Sequence, residues 1–100
     1  MLARIWRTRF REDRLDDLTR FANEISLPML SARPGCHGVE FLSHGDEFLT
    51  ITYWSDEAAI AATESDPGYV AIVAKIVAQG FLVGDSETTV FTVRGGTTRG

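Results

Sequence analysis

Residues Phe48–Trp54 read FLTITYW, and this stretch constrains the fold more than any other. It is built of β-branched and aromatic residues, which suit a pleated strand. Side chains alternate between the two faces of a strand, so Phe48, Thr50, Thr52 and Trp54 share one side, and Leu49, Ile51 and Tyr53 the other. Neither set is polar enough for a face in water. Such a strand belongs in a sheet covered on both sides. The stretch also ends on its largest side chain, Trp54, just before Ser55-Asp56-Glu57 opens an alanine-rich segment. An indole at that point either seals the core or walls a pocket.

The rest of the chain supplies the elements around this strand. Leu2–Phe10 is rich in β-formers and predicts a first strand. Asp13 offers a helix N-cap, and Leu15, Leu18, Ala22, Ile25 and Met29 recur at helical spacing; Pro28 is expected to break or kink this helix near Leu27. Gly38–Ser43 and Phe48–Trp54 flank Gly45-Asp46, which reads as a two-residue hairpin turn. Ser55 is the expected cap of a short helix over Asp56–Glu64. Asp66 then caps a second, with Pro67 at its first position and Gly80 just past Tyr69–Gln79. YVAIVAKIVAQ has strand-like β-branching, but its length, caps and alanines favour helix. Glu87–Arg94 reads as the last strand and residues 95–100 as a flexible tail.

The order β-α-β-β-α-β is the ferredoxin-like arrangement, an α+β fold with a four-stranded antiparallel sheet and helices on one face. Helices cover only one face, so the apolar second face calls for a partner sheet, and a homodimer is expected.

A chain of 100 residues makes one domain, 1–100, with its core over about 2–94. The net charge of −4 argues against nucleic acid and anionic membrane surfaces as partners. Nine of the ten basic residues are arginines, clustered only at Arg4, Arg7, Arg9, Arg11 and Arg14. Cys36 is the single cysteine, so no internal disulfide forms, which suits a reducing compartment. The start, MLARIWRTRF, carries arginines where a signal peptide needs an apolar run, and the apolar stretch around Tyr69–Ala78 is too short to span a bilayer. A cytoplasmic protein is expected. No residue spacing suggests a metal site and no glycine-rich phosphate loop occurs, so no cofactor is expected.

ARIWR in the first strand, RPGCHGVEFL entering the second, and TITYWSDEAAIAA followed by DPGYVAIV resemble the antibiotic biosynthesis monooxygenase (ABM) superfamily of dimeric α+β barrels, over about residues 2–94. The resemblance implies a homodimer with a small apolar pocket in each subunit, between the sheet and its helices. It implies oxygenation of an aromatic or quinone-type substrate by O₂ without metal or flavin. The deprotonated substrate supplies the electrons, while the protein holds it, stabilises the anion and excludes water. A non-catalytic ligand-binding or stress-response barrel of the same shape is an alternative, and a haem-binding relative is another. Haem-degrading relatives carry an Asn on the first strand, a Trp ending the third and a His on the second helix. Trp54 matches the second of these, but the first-strand site falls near Trp6, and residues 56–80 contain no His.

On this resemblance Trp54 and Trp6 are expected to wall the pocket. With Gly45-Asp46 as the turn, the register places His37 opposite Trp54, where it could act as acid or base; a solvated loop histidine is the plainer reading. Arg4 shares an apolar face with Trp6 and could hold a phenolate or carboxylate, or pair with Glu40 or an acid of a partner subunit. Tyr69 could turn its hydroxyl into the pocket or simply pack. His44 lies in the turn, and Cys36 has no activating neighbourhood beyond Arg33.

Overall fold

The computed structural model describes residues 1–97. Strand β1 (Leu2–Phe10) leads through a 3-10 turn (Glu12–Arg14) into a helical arm made of α1 (Leu15–Phe21), a π-helical turn (Ala22–Ser26) and α2 (Leu27–Ser31). Then come β2 (Cys36–His44), β3 (Glu47–Trp54), α3 (Glu57–Glu64), α4 (Pro67–Ala78) and β4 (Leu82–Thr92). The sheet is antiparallel in the order β2-β3-β1-β4, with the helices on one face. This is the expected α+β ferredoxin-like sheet. The tail expected over 95–100 has no regular structure at 95–97, and its last three residues lie outside the described part.

The hairpin forms as its turn chemistry requires. Gly45 takes φ +58, and the register pairs Ser43 with Phe48, Phe41 with Thr50 and Val39 with Thr52. Beyond that the ladder slips. A bulge between Cys36 and Gly38 leaves Cys36 across from Trp54 and Gly38 across from Tyr53. His37 is the extra residue and does not face Trp54, because a bulge puts two residues against one and turns the side chain out of the alternation.

Three further local expectations are corrected. Pro28 does not end its helix. It has no N–H to give, but the turn before it widens so that the Leu27 N–H reaches the Ala22 carbonyl, and the arm runs on to Ser31. Asp13 lies within the 3-10 turn and caps nothing. Asp56, not Ser55, caps α3, accepting from the Ala59 N–H at 2.8 Å. Asp66 caps α4 as expected, accepting from the Gly68 and Tyr69 N–H groups, and Gly80 follows that helix with φ +76. Strand β4 starts five residues before the expected Glu87 and bulges opposite Arg7–Arg9, where Gly84 has φ +70.

The core lies between sheet and helices. Phe10 and Phe48 meet edge to face with centroids 6.1 Å apart, against Leu18, Phe21, Ala22, Ile76 and Phe81. Each of these side chains brings about 1.5–3 kcal/mol of transfer free energy if it is one of the larger apolar types. The opposite face carries Ile5, Leu42, Leu49, Ile51, Tyr53 and Phe91 by register, with Leu42 45% and Phe91 53% exposed. Among the described residues, no helix is long and apolar enough to cross a membrane.

Candidate functional site

A cavity of about 80 Å³ lies between the helix-side face of the sheet and the arm and α4. The sheet contributes Arg4 and Trp6 from β1, Phe41 from β2, and Phe48, Thr50 and Thr52 from β3. The π turn and α2 contribute Ala22, Ser26, Met29 and Leu30, and α4 contributes Tyr69, Ile72, Val73 and Ile76. Alternation explains the sheet wall: Arg4 pairs with Thr52 and Trp6 with Thr50, so the four share one face. Spacing explains the helix wall, since Tyr69, Ile72, Val73 and Ile76 fall three and four apart. Val73, 37% exposed, stands on the rim.

The polar groups gather at Arg4. Its side chain is 12% exposed and its guanidinium is held by Glu64, the last residue of α3, with Nε 3.1 Å and Nη2 2.9 Å from Oε2. Nη2 also donates to the Tyr69 hydroxyl at 3.2 Å, and the guanidinium lies 6.0 Å from the centre of the Tyr69 ring. A cation this enclosed needs a countercharge, and Glu64 provides it. Tyr69 accepts through its oxygen and so keeps its own proton to donate. The result is an apolar slot with N–H and O–H donors at one end.

Arg4, Trp6 and Tyr69 thus line one cavity. The partner of Arg4 is Glu64 rather than Glu40, which faces the other way and accepts from the Tyr53 hydroxyl at 2.9 Å. That bond, with some burial and the charge of Glu40, holds the Tyr53 phenol above its ordinary pKa. Trp54 does not line the larger cavity. It is 1% exposed and its Nε1 donates to Thr52 Oγ1 at 2.7 Å; it borders only a void of about 10 Å³, shared with Arg4, Thr52 and Tyr69. His37 is exposed, with Nε2 2.6 Å from Ser55 Oγ, and lines neither space. Among the described residues no group of three or more His, Cys, Asp or Glu gathers as metal ligands would. Glu64, Thr50 and Ser26 were not singled out by the sequence.

The profile of the family described as antibiotic biosynthesis monooxygenase matches residues 1–75. The chain belongs to the ABM family. No curated protein sequence matches it significantly. Among solved structures it is similar to SnoaB, a cofactor-independent oxygenase from Streptomyces nogalater, at 18% identity over 98% of this chain and 97% of that one, with a TM-score of 0.76. It is similar to a monooxygenase of Streptomyces coelicolor in complex with nanaomycin D, at 14% identity over 99% and 92% of the two chains, with a TM-score of 0.78. A protein of Mycobacterium tuberculosis, Rv0793, is 19% identical over 97% and 98%, with a TM-score of 0.75. At these identities the likeness establishes the ABM fold.

Proposed function

We propose that the cavity binds a small hydroxylated aromatic or quinone-type molecule and that the protein oxygenates it with O₂, using no metal or flavin. The observation that carries this reading is the donor pair Arg4–Tyr69 in a mostly apolar slot, whose other polar lining residues are Ser26, Thr50 and Thr52. A ring lies against Trp6 and Phe41 with an oxygen at the donors. Loss of a proton from a ring CH₂ conjugated with that oxygen leaves an electron-rich anion whose charge is spread over the ring system, while its oxygen keeps the hydrogen bonds from Arg4 and Tyr69 through which the neutral molecule was bound. The anion gives its electrons to O₂. One oxygen atom becomes the new carbonyl, the other leaves as water with the two hydrogens, and the substrate supplies every electron. Support comes from family membership and from similar structures of a cofactor-independent oxygenase and of a monooxygenase holding nanaomycin D.

The space is small. A dry cavity of about 150 Å³ takes benzene, so a ring enters only if a wall gives. Helix α4 is the wall suited to this, since Ile76 is its one fully buried residue. The second sheet face is proposed to pack on its copy in a partner subunit, giving a homodimer.

One observation favours a non-catalytic binder. Among the described residues no His, Asp, Glu, Lys or Cys lines the cavity, so none of them supplies an evident base there. The test is O₂ uptake with an anthrone-type phenol under chelator, free of flavin. Uptake matched to product supports the oxygenase. Saturable binding without uptake assigns the protein to ligand binding alone.

A further inference from the structure

Glu64 lies behind the cavity rather than in it, and its charge is the one that balances Arg4. It lines the small void beside Trp54 and Arg4, not the larger space. It is also the last residue of α3, where the helix dipole disfavours a carboxylate. Nothing on its own helix explains an acid there, whereas the 12%-exposed Arg4 does. With Glu64 in place the pair is neutral, and among the described residues Arg4 is the one charged residue that lines the cavity.

We infer that Glu64 sets which oxygen the cavity accepts: a neutral hydroxyl or carbonyl, and not a carboxylate. The inference rests on the cavity being a ligand site. A neutral oxygen takes one of the two remaining N–H groups of Arg4 and the O–H of Tyr69 with no added charge. A carboxylate brings a second negative charge to a guanidinium already paired, and must lose its water to do so. Glu64 is therefore a specificity residue that acts through Arg4 without touching the ligand.

The experiment compares 2-naphthol and 2-naphthoate, which share a ring system and differ in charge at neutral pH, by calorimetric titration. Wild type binds the naphthol more tightly. Glu64→Gln keeps an oxygen for the Arg4 N–H groups but leaves the guanidinium unbalanced. It should shift the ratio of the two dissociation constants toward naphthoate by about tenfold or more. Glu57→Gln, the same charge change at the exposed start of α3, should leave the ratio alone. Adding Arg4→Met to Glu64→Gln should abolish the gain. A Glu64→Gln ratio within about twofold of wild type, or an equal shift in Glu57→Gln, overturns the inference while leaving the cavity reading intact. Failure of wild type to bind naphthol overturns the cavity reading and the inference with it.

Discussion

Replacing Trp54 with Phe separates the two roles open to an indole at the end of β3. The side chain is 1% exposed, and its N–H is spent on Thr52 Oγ1 at 2.7 Å. Thr52 is itself buried, and its hydroxyl donates weakly to the Arg4 carbonyl at 3.4 Å. Phe lacks roughly two buried ring carbons, worth about 1.6 kcal/mol by transfer. It also lacks the donor for Thr52, worth about 1 kcal/mol more. The expected loss is about 2–3 kcal/mol, or a Tm lower by about 10–20 °C in a domain of this size. Because Trp54 borders only the 10 Å³ void, naphthol affinity should stay within about twofold. Urea unfolding followed by far-UV circular dichroism gives the first quantity and calorimetric titration the second. A stability loss under about 0.5 kcal/mol combined with tenfold weaker binding would refute the reasoning, since the ring would then be touching ligand rather than holding Thr52.

Ile51→Lys places a charge in the middle of the second sheet face, and sedimentation should turn a wild-type dimer into a monomer of 11.1 kDa; a wild-type monomer at micromolar concentration would dispose of the dimer. Tyr53→Phe tests the phenol raised by Glu40. The folded pKa lies above the unfolded value near 10, so the stabilisation is full below that pH and is lost as pH rises through the folded value. The stability gap between wild type and Tyr53→Phe should be small and flat from about pH 6 to about pH 10 and close above it; a gap that widens as pH rises above about 10 would contradict this. Gly35→Ala should cost at least about 2 kcal/mol by urea unfolding, because φ is +83 and a Cβ would sit 2.7 Å from that of Ala59, at the corner where the Ser55 N–H donates to the Gly35 carbonyl. Gly45→Ala, at φ +58 with only the Glu12 side chain nearby at an ordinary contact distance of 3.8 Å, should cost less than half of that.

Features written in consecutive residues were legible before any coordinates. The run of β-formers marks the bounds of β1, and Gly45-Asp46 sets the hairpin register as far as Val39–Thr52. What alternation cannot show is an inserted residue. The bulge at His37 adds one residue to β2 without changing composition, and every pairing beyond it moves. Gly84-Asp85-Ser86 reads as a turn and hides the first half of β4, where the left-handed Gly84 serves a bulge instead. The π turn is invisible for another reason. It exists only as a choice of hydrogen-bond partners before Pro28, and the same residues would fit an α-helical wheel.

The site was half legible, and the line falls where secondary structure ends. Arg4, Trp6 and Tyr69 could be placed because each sits on an element whose inward face the sequence declares. The partner of Arg4 could have been narrowed further. The hairpin register puts Glu40 across from Ile51, while Arg4 lies across from Thr52, so the two point to opposite sides of the sheet. That alone removes Glu40. Glu64 then stands out among the remaining acids for a local reason: it ends a helix, against the dipole, with no basic residue in that last turn. The Glu64 carboxylate is 46% exposed, so water carries part of its charge, and its partner is the enclosed cation on β1. Which residues face inward is a matter of period. Which of them meet depends on how α3 lies over the end of the sheet, and a misplaced charge at a helix end is the trace that packing leaves in the sequence.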